Sequence, residues 1–552
     1  MDLRGKRIHH KQGALTRSSQ RATSSITRGT LPIGRAEGKE DQVDSGVLDS
    51  TSMPRAAELP FPQSKSHLGE RLRTHVIGLY RAALCFASDP SDTTRRPVVI
   101  ATIFGVTLFA WLALWLAAFF PGVMTPDSID QWQQATSGEY SNHHPFLHTL
   151  TIALIRKLWN SPAAVALVQM LLCAFGIGLS FRVLQRAGAL WWSLAAYAAT
   201  YFVMPIFGIY AVTLWKDILF SLGLLLFAVV WIDARLFRAL VDRSWWSAAV
   251  AGLAVAYCAC LRHNGVVIVA MVPLIALTRR DFRRASRFVF ASSVILSYLF
   301  AQTILINVLH ASASSILAGE LMPVQLVSAV AANNGIITPE ERKTLSMISP
   351  MDQIKAHYNC FVSGSIMMGN PSFNAKVLYD PAFVTEFHRQ ALNILIRNAP
   401  IVAADRACLA MHLIGLGAPY FAYLYETGIT PNEIGLSQAP LSRIRRPLLA
   451  YLAWSERYPQ RLLFWSAVPL IVLLLISCWK AGPGPLRQVT VLLLVATLAI
   501  FLIAPSRDYR YLFPLVLITP FLFTRCLCKH ETTRIETILP ATTERPCSDT
   551  SL

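Results

Sequence analysis

Charge is the scarcest ingredient of this chain. Only 15% of its 552 residues are Asp, Glu, Lys or Arg, against about 25% in an ordinary soluble domain. The shortage is uneven. Long apolar stretches carry almost no charge, and the charges gather between them. Repeated membrane spans joined by polar loops give that pattern, and one large soluble core does not. Nucleotide fingerprints are missing too. There is no Walker A pattern and no convincing G-x-G-x-x-G, which speaks against a nucleotide held in a soluble domain. The ten cysteines show no metal-ligand spacing. Cys85, Cys173, Cys258, Cys260, Cys408 and Cys478 lie in or beside apolar segments, and Cys526 and Cys528 follow the last apolar run. Cys360 sits alone in a long polar region, so no disulfide framework is expected.

What is present is apolar and basic. Hydrophobic residues make up 54% of the chain, and its formal net charge is +18. The arginines collect in short links between apolar runs and in the N-terminal region. That placement is the positive-inside bias of membrane proteins, and nucleic acid is not expected as a partner.

Residues 1–96 are rich in Ser, Thr, Arg and Gly and lack an apolar h-region near their start. They read as a disordered basic tail on the cytoplasmic side and not as a secretory signal. The fold class expected is an all-α polytopic membrane protein of about ten transmembrane helices. About seven fall in 97–309: near 98–120, 162–184, 190–209, 217–233, 246–261, 266–277 and 288–309. Three more lie in 462–525, near 462–478, 489–503 and 512–523, and 526–552 form a cytoplasmic tail. An amphipathic helix over 149–159, carrying Arg156 and Lys157, is read as interfacial. Residues 310–461 form a large outer loop with interfacial helices. Ile401–Tyr425 within it is read as interfacial because Asp405 and Arg406 would be costly at the bilayer centre.

Orientation follows from short-loop arginines. An inside N-terminus also puts the 235–243 and 279–287 clusters inside. Both termini are then cytoplasmic, and four polar segments fall on the outer face. In the first, Thr125 suits an N-cap and Pro126 the first helical position, so Asp127 and Asp130 share one face of a short helix. Two such carboxylates can bind a divalent cation such as Mg or Mn, or one can act as a base. The bland alternative is that Asp127 complements the helix N-terminus. His143-His144-Pro145 offers a proton carrier or metal ligand, or a plain interfacial turn. The second segment holds Lys216-Asp217, the third Arg262-His263-Asn264-Gly265, and the fourth Arg507-Asp508-Tyr509-Arg510-Tyr511. An outer-side Arg runs against the inside bias and calls for an anionic partner, either within the protein or in a ligand. Two acids beside three basic turns suit a substrate with a negative head and an apolar tail.

The order of these motifs resembles the GT-C superfamily of integral-membrane glycosyltransferases. The similarity runs over roughly 98–525. It is carried by Pro126-Asp127-Ser128, by Gly138, by His144-Pro145-Phe146-Leu147, by Arg262-His263-Asn264-Gly265 and by Arg510-Tyr511. Many members have adjacent acids where this chain has Asp127-Ser128, which bears on whether Asp130 joins the site and whether a metal is used. The resemblance implies an inverting transfer of a sugar from a polyprenyl phosphate to an envelope glycan, lipid or protein. Asp127 would be the base, and Lys216, Arg262 and Arg510 would stabilise the leaving phosphate. A transporter or flippase of lipid-linked glycans should instead carry mid-span charges or internal repeats. A polymer ligase using His357, His388 and arginines of the 310–461 loop remains the other alternative.

Overall fold

The computed structural model describes residues 95–312, 316–362, 364–416 and 423–528, all within one compact unit, His75–Leu552. Most of the basic tail and the C-terminal tail lie outside the described residues. Among those described, regular structure is entirely helical, and β pairing is confined to isolated bridges.

Helices α1 (Arg95–Ala118) and α4 (Pro162–Arg186) meet closely. The approach depends on small residues spaced four apart on each helix, Ala101 and Gly105 against Ala174 and Gly178. A Cβ on Gly178 would stand 3.3 Å from the Ala101 carbonyl oxygen. Between them in sequence lie two short helices, α2 (Pro126–Ser137) and α3 (Phe146–Leu158). The expected interfacial helix is thus α3, beginning at the His144-Pro145 turn. Gln131 fastens the pair: its amide donates to Thr149 Oγ1 at 3.1 Å, and its carbonyl faces His148 Nδ1 at 3.1 Å.

The third expected span is broken. Trp191–Val203 (α5) and Pro205–Ala211 (α6) meet at 57°, because Pro205 pushes Met204 out of helical geometry. Lys216–Ile232 (α7) and Ala234–Leu240 (α8) meet at 105°, where Asp233 caps α8 by accepting from the Arg235 and Leu236 amides. Trp245–Cys260 (α9) and Val266–Thr278 (α10) follow, then Arg284–Val308 (α11).

Five helices are long and apolar enough to cross a membrane, or seven if each bent pair is one span. This is coarser than the ten expected. The helices Trp245–Cys260, His263–Thr278 and Val468–Lys480 are apolar but only 10–17 residues long, short of the ~20 residues that cross a hydrocarbon core. Of the long helices, α4 and Tyr509–Leu527 are 67% buried, whereas α1, α11 and Pro485–Ile503 are 22–33% buried and present apolar faces outward.

The expected outer loop has a hydrophobic core of its own. Helices α12 (Ile316–Ala332), α13 (Pro339–Ile348), α14 (Met351–His357), α15 (Gly364–Met368), α16 (Pro381–Arg397) and α17 (Ala399–Leu413) surround Val327, Leu345, Ile366, Phe387 and Ile394. Asp405 and Arg406 are buried on α17 and paired with each other. Cys360 does have a partner: it is disulfide-bonded to Cys408. The reading of Cys360 as standing alone fails because α17 folds back over the 358–362 segment, bringing in Cys408 from 48 residues away in sequence. The chain closes with α18 (Ser442–Ser455), α19 (Gln460–Phe464), α20 (Val468–Lys480), α21 (Pro485–Ile503) and α22 (Phe513–Leu527).

Candidate functional site

The outer-face segments named from sequence converge at one end of the helical body. The segment at 123–124 is pinned on both sides by backbone pairing. The Val123 amide donates to the Val212 carbonyl and the Val123 carbonyl accepts from the Leu214 amide, while Met124 pairs in the same way with Gly428 and Thr430. Thr125 precedes α2 in extended geometry but does not cap it. Its Oγ1 instead accepts from Trp215 Nε1 at 3.0 Å, while Ser128 Oγ donates to the Leu214 carbonyl at 2.8 Å. These bonds fix the start of α2 against the start of α7, which brings Asp127 to Lys216.

The Arg262 turn owes its tightness to Gly265, where a Cβ would collide with the Ala259 carbonyl oxygen at 1.9 Å. It sits directly between α9 and α10. Arg262 Nη1 donates to the buried Asp217 carboxylate, and its guanidinium lies 5.0 Å over the Tyr511 ring.

A cavity of about 270 Å³ opens among these elements. Asp127, His143, His144, Lys216, Arg262, His263, Asn264, Arg510 and Tyr511 line it, with Ile500, Ile503, Ala504 and Pro505 as an apolar wall. Three sequence candidates stand off it. Asp217 is behind, neutralising Arg262. Asp130 is on the rim, accepting from Gln134 Nε2 at 2.8 Å. Arg507 points away, its guanidinium 4.4 Å over the Phe361 ring.

Asp127 is the hub. Its Oδ2 lies 2.9 Å from Arg510 Nη2 and 3.6 Å from Lys216 Nζ. His144 Nε2 stands 3.8 Å from both Asp127 Oδ1 and Asp130 Oδ2, so the two acids do share a face. Burial alone would raise the Asp127 pKa, but Arg510, Lys216 and His144 together hold it well below the usual carboxylate range. Asp130 shifts the other way, raised chiefly by burial. Burial, reinforced by Lys216, pushes His144 down to about 3, so its ring is neutral. Lys216 Nζ lies 3.0 Å from His144 Nδ1. An ammonium has only protons to offer, so Nδ1 accepts and the ring proton sits on Nε2, facing the carboxylates.

Sequence reasoning treated Asp508 only as a possible partner within its own cluster. It is buried behind Arg510, off the cavity lining. Its Oδ2 lies 2.7 Å from Arg510 Nε, and burial pushes it up to about 6 against the pull of Arg510. The signal was its spacing of two from Arg510. Trp215 is buried as well, with the Arg510 guanidinium 5.1 Å over its ring.

The donor set fits a divalent cation poorly. Asp127 and Asp130 are the carboxylates at hand, and Asp127 already has Arg510 and Lys216 against Oδ2. An added cation there would lie beside two positive charges. Among the described residues, Cys360, Cys408 and His412 also lie together, but the two cysteines are joined in a disulfide and offer no thiolate.

The arrangement has the make-up of a multi-pass membrane protein: apolar helices with exposed apolar faces, and one polar cavity at their common end. A family of unknown function, DUF6020, matches residues 133–367. That stretch includes His143, His144, Lys216, Asp217 and Arg262–Asn264, and leaves out Asp127 and Arg510. No curated protein and no solved structure matches the chain.

Proposed function

We propose that this is a membrane glycosyltransferase that moves a sugar from a polyprenyl phosphate to an envelope acceptor on the outer face of the cytoplasmic membrane. The observation that carries the reading is Asp127, an ionised carboxylate gathered with Lys216, Arg262 and Arg510 in one cavity with an apolar wall. Such a cavity suits a phosphate on an apolar tail, with a base beside it.

Chemistry follows from that placement. The acceptor hydroxyl attacks the anomeric carbon from the face opposite the phosphate, with inversion. Its proton passes to Asp127, the new C–O bond forms, and the bond from carbon to phosphate oxygen breaks. Negative charge grows on the phosphate, where Arg510, Lys216 and Arg262 stabilise it. Resting Asp127 is a poor base, because its cations hold its pKa down. A phosphate that draws Arg510 and Lys216 to itself raises the basicity of Asp127 in the loaded site. Neutral His144 stands beside the carboxylate, with Nε2 3.8 Å from Asp127 Oδ1.

The basic links and one disulfide support the sidedness. Arg186, Asp233, Asp242, Arg279 and Arg283 form ion pairs at links joining α4, α7 and α8, α9, α10 and α11. Chain order puts these links at the helix ends opposite the cavity. The Cys360–Cys408 disulfide lies in the module beside the cavity, and disulfides persist on the oxidising side of a membrane. The basic links and the disulfide both support a cavity on the outer face. The charges of the cavity stand at helix ends and not mid-span, which favours transfer over transport. Incubating the purified protein with labelled polyprenyl-phosphate sugars and envelope acceptors tests the reading. Label should move to the acceptor in the wild type and not in Asp127→Asn. Equal transfer by both would remove Asp127 as the base.

A further inference from the structure

The buried Asp405–Arg406 pair has no part in the reaction above, yet it reaches the cavity. Asp405 Oδ1 accepts from the Tyr358 hydroxyl at 2.6 Å, and Arg406 Nε donates to Asp405 Oδ2 at 2.8 Å. Burying two charges is costly unless their hydrogen-bonding groups are satisfied. Arg406 Nη1 donates to the Met322 sulfur at 3.4 Å within its own module and also reaches outside it. Its Nη1 donates to the Ala504 carbonyl at 3.2 Å. Ala504 caps the C-terminal end of α21 and lines the cavity. Carbonyls at such an end lack helical partners, and a cation is favoured there.

From Ala504 the chain runs through Pro505 to Asp508 and Arg510, gripped on two edges. The Arg507 amide donates to the Phe361 carbonyl at 3.0 Å, beside a bridge between Val362 and Ser506. On the other edge Tyr423 donates to the Arg507 carbonyl, and Tyr509 donates to the Tyr423 carbonyl, each at 3.0 Å. The first grip leads back to α17, because Cys360 adjoins Phe361 and is bonded to Cys408, two residues beyond Arg406. Helix α17 is itself anchored twice. Ile401 and Val402 pack on the outer module's core, while Leu409 and Leu413 belong to the main core.

We infer that Arg406 is a positioning residue: it holds the Ala504–Tyr511 segment, and so Arg510, in register with Asp127. The outer module thereby sets the geometry of the phosphate-binding cations without touching them. The consequence for catalysis rests on the proposed transferase reading. The placement itself does not.

The test uses the full-length protein in nanodiscs. In the double variant Asp405→Asn/Arg406→Met, which leaves no lone buried charge, exchange of the Arg507 and Tyr509 amides should speed up about tenfold or more, as for loss of a charged hydrogen bond. Amides of Phe104–Leu112 in α1 should not change, which guards against general unfolding. Arg406→Lys, still able to reach the Ala504 carbonyl, should restore part of the protection. Where transfer is measured, kcat should fall with the acceptor KM unmoved. Unchanged exchange at Arg507 and Tyr509 in the folded double variant overturns the inference. Faster exchange in a protein whose wild type transfers no sugar upholds the inference and removes the transferase reading instead.

Discussion

Arg510 bridges two carboxylates that approach from distant parts of the chain, with Nη2 2.9 Å from Asp127 Oδ2 and Nε 2.7 Å from Asp508 Oδ2. One guanidinium thus couples the candidate base to a buried acid whose charge depends on pH. Any change in Asp508 is felt at Asp127 through the side chain between them.

Asp127→Asn should lower transfer by about 10²–10⁴-fold, the range for loss of a general base. Its carboxylate neutralises Arg510 and Lys216, so thermal stability in detergent should also fall, while the protein stays folded and membrane-inserted. Asp130→Asn, on the rim, should have a much smaller effect. A comparable loss in both variants would shift the base to the pair of acids acting together.

Asp508 supplies the pH dependence. Its pKa is raised to about 6, so it is ionised above that value and neutral below it. As pH falls through about 6, Arg510 loses one of its two anions and leans more strongly on Asp127, making the base weaker. Transfer should therefore decline on the acid side near pH 6, and the decline should be absent in Asp508→Asn. The stability sign is the reverse. The folded state binds this proton more tightly than the unfolded chain, so the contribution of Asp508 to stability is present at low pH and is lost as pH rises through about 6.

Much of this site was legible because membrane proteins put charge where it is needed. Asp127, Lys216, Arg262 and Arg510 stand out as charges at the ends of apolar runs, and the positive-inside bias assigns them a common side. Depth within the site was not legible. Asp217 follows Lys216 directly, yet helical geometry turns it to the buried face while Lys216 meets the cavity. Arg507 and Arg510 belong to one cluster, and the pairing of Arg507 with Phe361 directs it elsewhere. The Cys360–Cys408 bond and the core around Val327 and Phe387 depend on contacts distant in sequence, which no local pattern encodes. The span count is coarser in the structure, five to seven, for a different reason: apolar composition marks a helix as buried or lipid-facing, but its length is set by where caps and prolines stop it.

Sidedness can be tested without any assay of function. Glu139→Cys, exposed just after α2, should react with a membrane-impermeant maleimide added to intact cells. Arg283→Cys, exposed beside Asp242, should react only after permeabilisation. The unsubstituted protein is the control for the native free thiols. Labelling of Arg283→Cys from outside would invert the orientation.

The last prediction concerns Lys216, whose ammonium stands between Asp127 and His144. Lys216→Met keeps the length of the side chain and removes its charge. Burial is the first cause of the low His144 pKa and Lys216 the next, so the variant should raise the His144 value above about 3 without restoring it fully. Asp127 should rise as well, because one of the cations lowering its pKa is gone. Both shifts are upward, and they come from opposite effects: His144 loses a repelling charge and Asp127 loses an attracting one. Titration of ¹⁵N-labelled histidine in the full-length protein reads the first directly. If His144 fails to move, Lys216 does not point its charge at Nδ1, and the tautomer that aims Nε2–H at the two carboxylates is wrong.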